Sequence, residues 1–151
     1  MPSTTGSLVT GSLSEAQHLK GEFEAAGGCD FESSAAELER FFELTRHTDE
    51  PLAMISRNID LLWHKFLEFT EHYREFCEAR YGAFLDHRPR TSATPVPEVA
   101  VRNFYREYAS HYGDIGQVWE RDAPSALVAY GRGQTDTLGE ARWSGWPGRT
   151  T

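Results

Sequence analysis

A chain of 151 residues, 39% hydrophobic and 25% charged, is long enough for one folded domain and ordinary in composition for a globular protein. Its formal net charge of −8 repels phosphate backbones and anionic lipid, which argues against a nucleic-acid or membrane-surface role. Two cysteines are too few for a disulfide framework or a cysteine-rich zinc site, and no apolar run approaches the roughly 20 residues of a membrane span.

In chain order, residues 1–12 are mostly Ser, Thr and Gly and read as a disordered lead-in without the features of a secretory signal, so a reduced, cytoplasmic protein is expected. LSEAQHLKGEFEAAGG (13–28) predicts a first helix, with Ser14 as N-cap and Gly27 and Gly28 at its end. ESSAAELERFFELTRHTDEP (32–51) predicts a second, capped by Ser34 with Glu37 in the capping-box position and Pro51 beyond its end. Residues 56–81 lack Pro and Gly, and Gly82 stands where a left-handed residue closes a helix, so one long central helix is expected. At about 100° per residue, Ile59, Leu62, Trp63, Phe66, Phe69, Tyr73, Phe76 and Cys77 share its apolar face.

A loop fixed by Pro89, Pro95 and Pro97 follows, then a fourth helix from Pro97 to Gly113 carrying Phe104, Tyr105, Tyr108 and Tyr112. DIGQVWERDAP reads as a short helical turn. The stretch 124–151, with five glycines plus Trp143 and Trp146, reads as an irregular tail wrapping the core. No segment has strand periodicity. The expectation is an all-α fold: a small bundle of about four helices over 13–123, with 56–81 at its centre.

Chemistry concentrates in NIDLLWHKF (58–66). His64 lies about 100° round from the inward Trp63, on a flank shared with Asp60 at i−4, Glu68 at i+4 and Glu71 at i+7. Three readings fit this stripe. It is a solvated flank with His64 paired to a carboxylate; or Asp60 orients His64 as an acid/base group, with His87 from the following loop as its partner; or His64, His87 and Asp60 hold a divalent metal such as zinc or iron. Thr70 and Tyr73 fall near the middle of the apolar face, where Thr70 can bond the Phe66 carbonyl and Tyr73 a loop carbonyl, or both can line a pocket. Tyr105 falls off the main face of its helix and is a further candidate ligand contact. Cys77 reads as a buried small hydrophobe and Cys29 as exposed, neither as a nucleophile. A di-iron bundle needs two Glu-x-x-His motifs, and only Glu15-Ala-Gln-His18 is present.

Asp60-x-x-Trp63-His64, then Thr70, Tyr73, Phe76-Cys77, Gly82-x-Phe84 and His87-x-Pro89, resemble the short bacterial forms of the glycine-rich domain-containing protein family over about residues 37–90. The resemblance implies an all-helical core and singles out Asp60 and His64, but implies no reaction. Asp86 stands where those proteins carry the first of two adjacent histidines, so a role needing both does not carry over.

Two functional classes follow. One is a small cytoplasmic enzyme acting on an organic small molecule without a cofactor, of lyase, isomerase or cyclase type, as in specialised metabolism. Its catalytic residues are His64, Asp60 and His87, and Trp63, Tyr73, Thr70 and Tyr105 bind substrate. The other is a protein-interaction module in which the Trp63–His64 segment is architectural and Trp143 and Trp146 meet the partner. Phosphate loops, nucleophile elbows and His-Glu-x-x-His pairs are absent from the sequence.

Overall fold

Apolar residues at helical spacing, interrupted by glycines and short polar turns, produce the architecture. A computed structural model describes residues 12–85 and 98–138, which form seven α-helices, one short 3-10 turn and no strand. The helices are α1 (Gln17–Ala25), α2 (Phe31–His47), α3 (Arg57–Glu68), α4 (Thr70–Tyr81), α5 (Glu98–Tyr112), α6 (Gln117–Glu120) and α7 (Ser125–Gly131), with the 3-10 turn at Leu13–Glu15. None is long and apolar enough to cross a membrane. The expected all-α class is what forms.

The first two helices begin differently from the sequence expectation. Ser12, not Ser14, caps the 3-10 turn, accepting from the Ser14 N–H, and α1 starts afterwards at Gln17. Helix α2 starts at Phe31, behind Asp30 in the left-handed conformation (φ 55°). Ser34 is therefore buried inside α2, donating to the Cys29 carbonyl at 3.3 Å, and Glu37 lies in mid-helix instead of a capping box.

The expected long helix is two helices, broken at Phe69 (φ −94°, ψ 67°). Neither Pro nor Gly causes this. The break lets α4 pack back on α3, so that Phe66 meets Tyr73 and Phe76 with ring centroids 4.9 and 5.3 Å apart. Ten residues separate Trp63 from Tyr73, which puts them about 80° apart round a continuous helix. Across the break, Trp63 Nε1 donates to the Tyr73 hydroxyl at 3.0 Å. Gly82 closes α4 at φ 72°, as the sequence predicts.

Helix α2 is the central element; it packs on the 3-10 turn, α1, α3 and α6. Its Phe41 meets Trp63, Phe104 and Trp119, while Phe42 meets Trp63, Tyr73 and Tyr81, all at ring-centroid distances of 5.3–6.3 Å. Among these rings Glu37 is a polar bolt. One of its oxygens accepts from the Tyr108 hydroxyl at 2.6 Å and from Trp119 Nε1 at 2.8 Å, so α2, α5 and α6 share one carboxylate. Burial, then Glu37, push the Tyr108 hydroxyl up to about 12.

The stretch after Pro124 is more ordered than expected. Helix α7 buries Leu127 and Tyr130, Leu138 is also buried, and the Leu138 N–H donates to Glu98 at 3.1 Å. Trp143 and Trp146 lie outside the described residues, as do the lead-in up to residue 11 and the Pro89–Pro97 loop. Glu37→Ala strips a charged acceptor from two buried donors and should destabilise the fold by roughly 2–3 kcal/mol, measurable by urea denaturation.

Candidate functional site

Helix α3 is anchored at its N-terminus from three sides. Ser56 Oγ accepts from the Ile59 N–H at 3.0 Å, and Asp122 Oδ2, from the turn after α6, accepts from the Asn58 N–H at 2.7 Å. The Asn58 side chain binds the N–H and carbonyl of Cys29 at 3.0 and 2.9 Å and the Ser34 hydroxyl at 2.8 Å. These bonds fix the first turn, which carries Asp60.

Asp60 is 4% exposed. The positive end of the α3 dipole offsets part of the cost of burying its charge. One turn on, His64 Nε2 lies 3.3 Å from Asp60 Oδ2; the histidine side chain keeps 39% of its surface exposed, although Nε2 itself is buried. The exposed edge of the ring is therefore not the one that faces the carboxylate. Hydrogen bonding and charge from Asp60 raise the imidazole pKa above its ordinary value; partial burial opposes this, Glu68 adds a little and Lys65 subtracts. The raised pKa favours the protonated ring, and an imidazole that gives up and regains a proton is suited to acid–base chemistry.

The rest of the expected stripe disperses. Glu68 pairs with Lys65 at 3.4 Å, and Glu71, now on α4, pairs with Arg74 at 3.8 Å. Only Asp60 and His64 remain as a couple of the original set. Trp63 and Tyr73 are buried and bonded to each other, and the Tyr73 hydroxyl also donates to the Leu85 carbonyl, so Tyr73 does reach a loop carbonyl. They join α3, α4 and the start of the following loop.

Thr70 is exposed at the first position of α4 and donates to the Leu67 carbonyl at 3.3 Å, not to Phe66. The break at Phe69 removes it from the apolar face. Tyr105 sits elsewhere: its hydroxyl donates to Glu120 at 2.8 Å, its ring fills the space beside Gly131, and among the described residues it does not touch Asp60 or His64. Burial and Glu120 push its hydroxyl pKa upward. His87 lies outside the described residues.

Asp60 and His64 provide one oxygen and one nitrogen, short of the three protein donors a catalytic zinc takes. Among the described residues, no group of three His, Cys, Asp or Glu side chains stands arranged for a metal ion. Burial raises the Cys77 thiol, consistent with an inert core residue, while exposed Cys29 has an Arg121 Nη 3.5 Å from its sulfur.

Among the described residues, sequence reasoning missed concavities such as the following two. One, of about 460 Å³, opens where α1 starts and α3 breaks, with His18, Phe69 and His72 on its wall. The other, of about 380 Å³, lies between α5 and α7 beside Arg102, Tyr105 and Arg132. The first exists because of the break at Phe69, which no residue type announced. The second follows from the α7 packing that the glycine-rich composition concealed.

A family model described as UCP032817-like matches residues 12–109, which include Asp60, His64 and the chain as far as α5. That description carries no link to glycine-rich domain-containing proteins. No curated protein and no solved structure matches the chain.

In an NMR titration the His64 ring should turn over above the ordinary value of about 6.5, and Asp60→Asn should bring it down. Because the folded pKa is the raised one, the stabilisation the pair contributes is fully present below about pH 6.5 and fades as pH rises through the folded value. Denaturation of wild type beside Asp60→Asn should show the gap narrowing as the pH climbs.

Proposed function

The chain belongs to the UCP032817-like family, and we propose that it is a small enzyme that moves protons on an organic substrate through His64 and Asp60. The observation that carries this reading is a buried carboxylate, 4% exposed, set 3.3 Å from an imidazole whose side chain keeps 39% of its surface exposed. A solvated flank, the plainer alternative, leaves both partners in water. Here Asp60 is withdrawn into the core, where an ionised group is costly unless it is paired. Asp60 orients His64 and biases it toward the protonated form; His64 exchanges the proton with substrate.

Reactions that a lone acid/base residue serves are the isomerase, lyase and cyclase types without a cofactor, in a cytoplasmic setting. Trp63 and Tyr73 act as positioning residues, since their shared hydrogen bond ties the helix bearing His64 to Leu85.

The test is a screen of small carbonyl-containing acids and esters against protein labelled with ¹³C-histidine. Binding compounds are expected to shift the His64 ring signal, and the response should vanish in His64→Ala while its circular dichroism stays that of wild type. For any compound turned over, His64→Ala should lower kcat by about 100-fold or more. Ligands that bind without perturbing His64, or a His64→Ala chain that does not fold, would sink the proposal.

A further inference from the structure

Where α1 begins and α3 ends, two rings stand at right angles. His18, in the first turn of α1, meets Phe69 at the α3–α4 break, with ring centroids 5.3 Å apart and planes 89° from parallel. Both line the concavity of about 460 Å³, whose wall also carries Ala16, Gln17, Leu19 and His72. That volume falls within the roughly 300–1,000 Å³ of small-molecule pockets. Neither Asp60 nor His64 lines it, so the cavity is separate from the acid–base pair.

Two perpendicular rings on the wall of an open cavity form a corner suited to a third. A planar aromatic ligand can lie offset on one of them and turn its edge to the other, and ring quadrupoles favour both arrangements. Phe69 is half-buried and keeps surface for such contact, and Ala16 and Leu19 add aliphatic wall. The polar groups are of the kind that receive a hydroxyl. Neutral imidazole has one acceptor nitrogen, and the amide oxygen of Gln17 also accepts.

Charge selects against ions of either sign. Among the described residues the wall carries one carboxylate, Glu15, and no Lys or Arg, which opposes an anion. The start of α1, at Gln17, has no side-chain cap and no acidic residue in its first turn, so its positive end opposes a cation. We propose that this cavity binds an uncharged hydroxy-aromatic molecule, a phenol or naphthol, with its ring in the His18–Phe69 corner and its O–H donated to His72.

The experiment is calorimetric titration of β-naphthol into the full chain at neutral pH. Three comparison ligands keep the skeleton and change one property each: decahydronaphthol loses the aromatic ring, naphthalene sulfonate is an anion and naphthylmethylamine a cation. One β-naphthol per chain is expected, with all three comparison ligands binding more weakly. His18→Ala should weaken β-naphthol about threefold to tenfold, the size of one or two lost ring contacts. His72→Ala should weaken β-naphthol but not naphthalene, which has no hydroxyl to donate, while His64→Ala should bind as wild type does. His18 and His72 are exposed, circular dichroism checks that their variants fold, and the ligand comparison on wild type stands without them. A wild type that takes up no β-naphthol, equal or tighter binding of any comparison ligand, unchanged affinity in either histidine variant, or an equal loss in His64→Ala would each overturn the site.

Discussion

One carboxylate, Glu37, sets the internal geometry of this molecule. It stands in the middle of α2, and a single one of its oxygens accepts from Tyr108 on α5 and Trp119 on α6. Arg40, one turn further along α2, donates to the same Tyr108 hydroxyl at 2.9 Å and lies 3.5 Å from the second Glu37 oxygen. Aromatic rings stacked against one another tolerate some sliding, whereas hydrogen bonds to a charged group do not. Glu37 therefore fixes the register of the aromatic rings packed around α2.

From that core the polar positioning of α3 follows. Because α6 is held by Trp119, the turn beyond it brings Asp122 to the first amides of α3, and Asn58 ties the same turn to Cys29 and Ser34. The carboxylate of Asp60 is buried in the first turn of α3, the turn that is anchored to two other parts of the chain. A proton-transfer pair needs this kind of fixed backing, since a mobile carboxylate neither orients an imidazole nor holds its pKa up.

The all-α class was legible in the sequence, because apolar spacing and the glycines at 82 and 113 are local signals. So was the Asp60–His64 couple, which depends only on being one turn apart on a helix. Glu37 was visible as a glutamate three residues after a serine, and that pattern mimics a capping box; its actual role depends on Tyr108 and Trp119, far away in the chain. The break at Phe69 had no local sign, since it is selected by how Phe66, Tyr73 and Phe76 pack, and with it went the placement of Thr70. Helix α7 was hidden by glycines that flank it, although Leu127 and Tyr130 mark its buried side. Tyr105 was correctly seen to leave the main face of α5, but its partners, Glu120 and Gly131, come from packing that spacing does not reveal.

The two cysteines occupy opposite extremes of the fold: Cys29 is exposed and Cys77 is buried in the core. A thiol reagent therefore finds one sulfur at once and the other only when α4 lifts from α2 and α3. The slow labelling phase reports how often the core opens, and the fast phase supplies an internal standard for the reagent. The chain carries a natural clock of its own breathing, readable by mass spectrometry without an introduced probe.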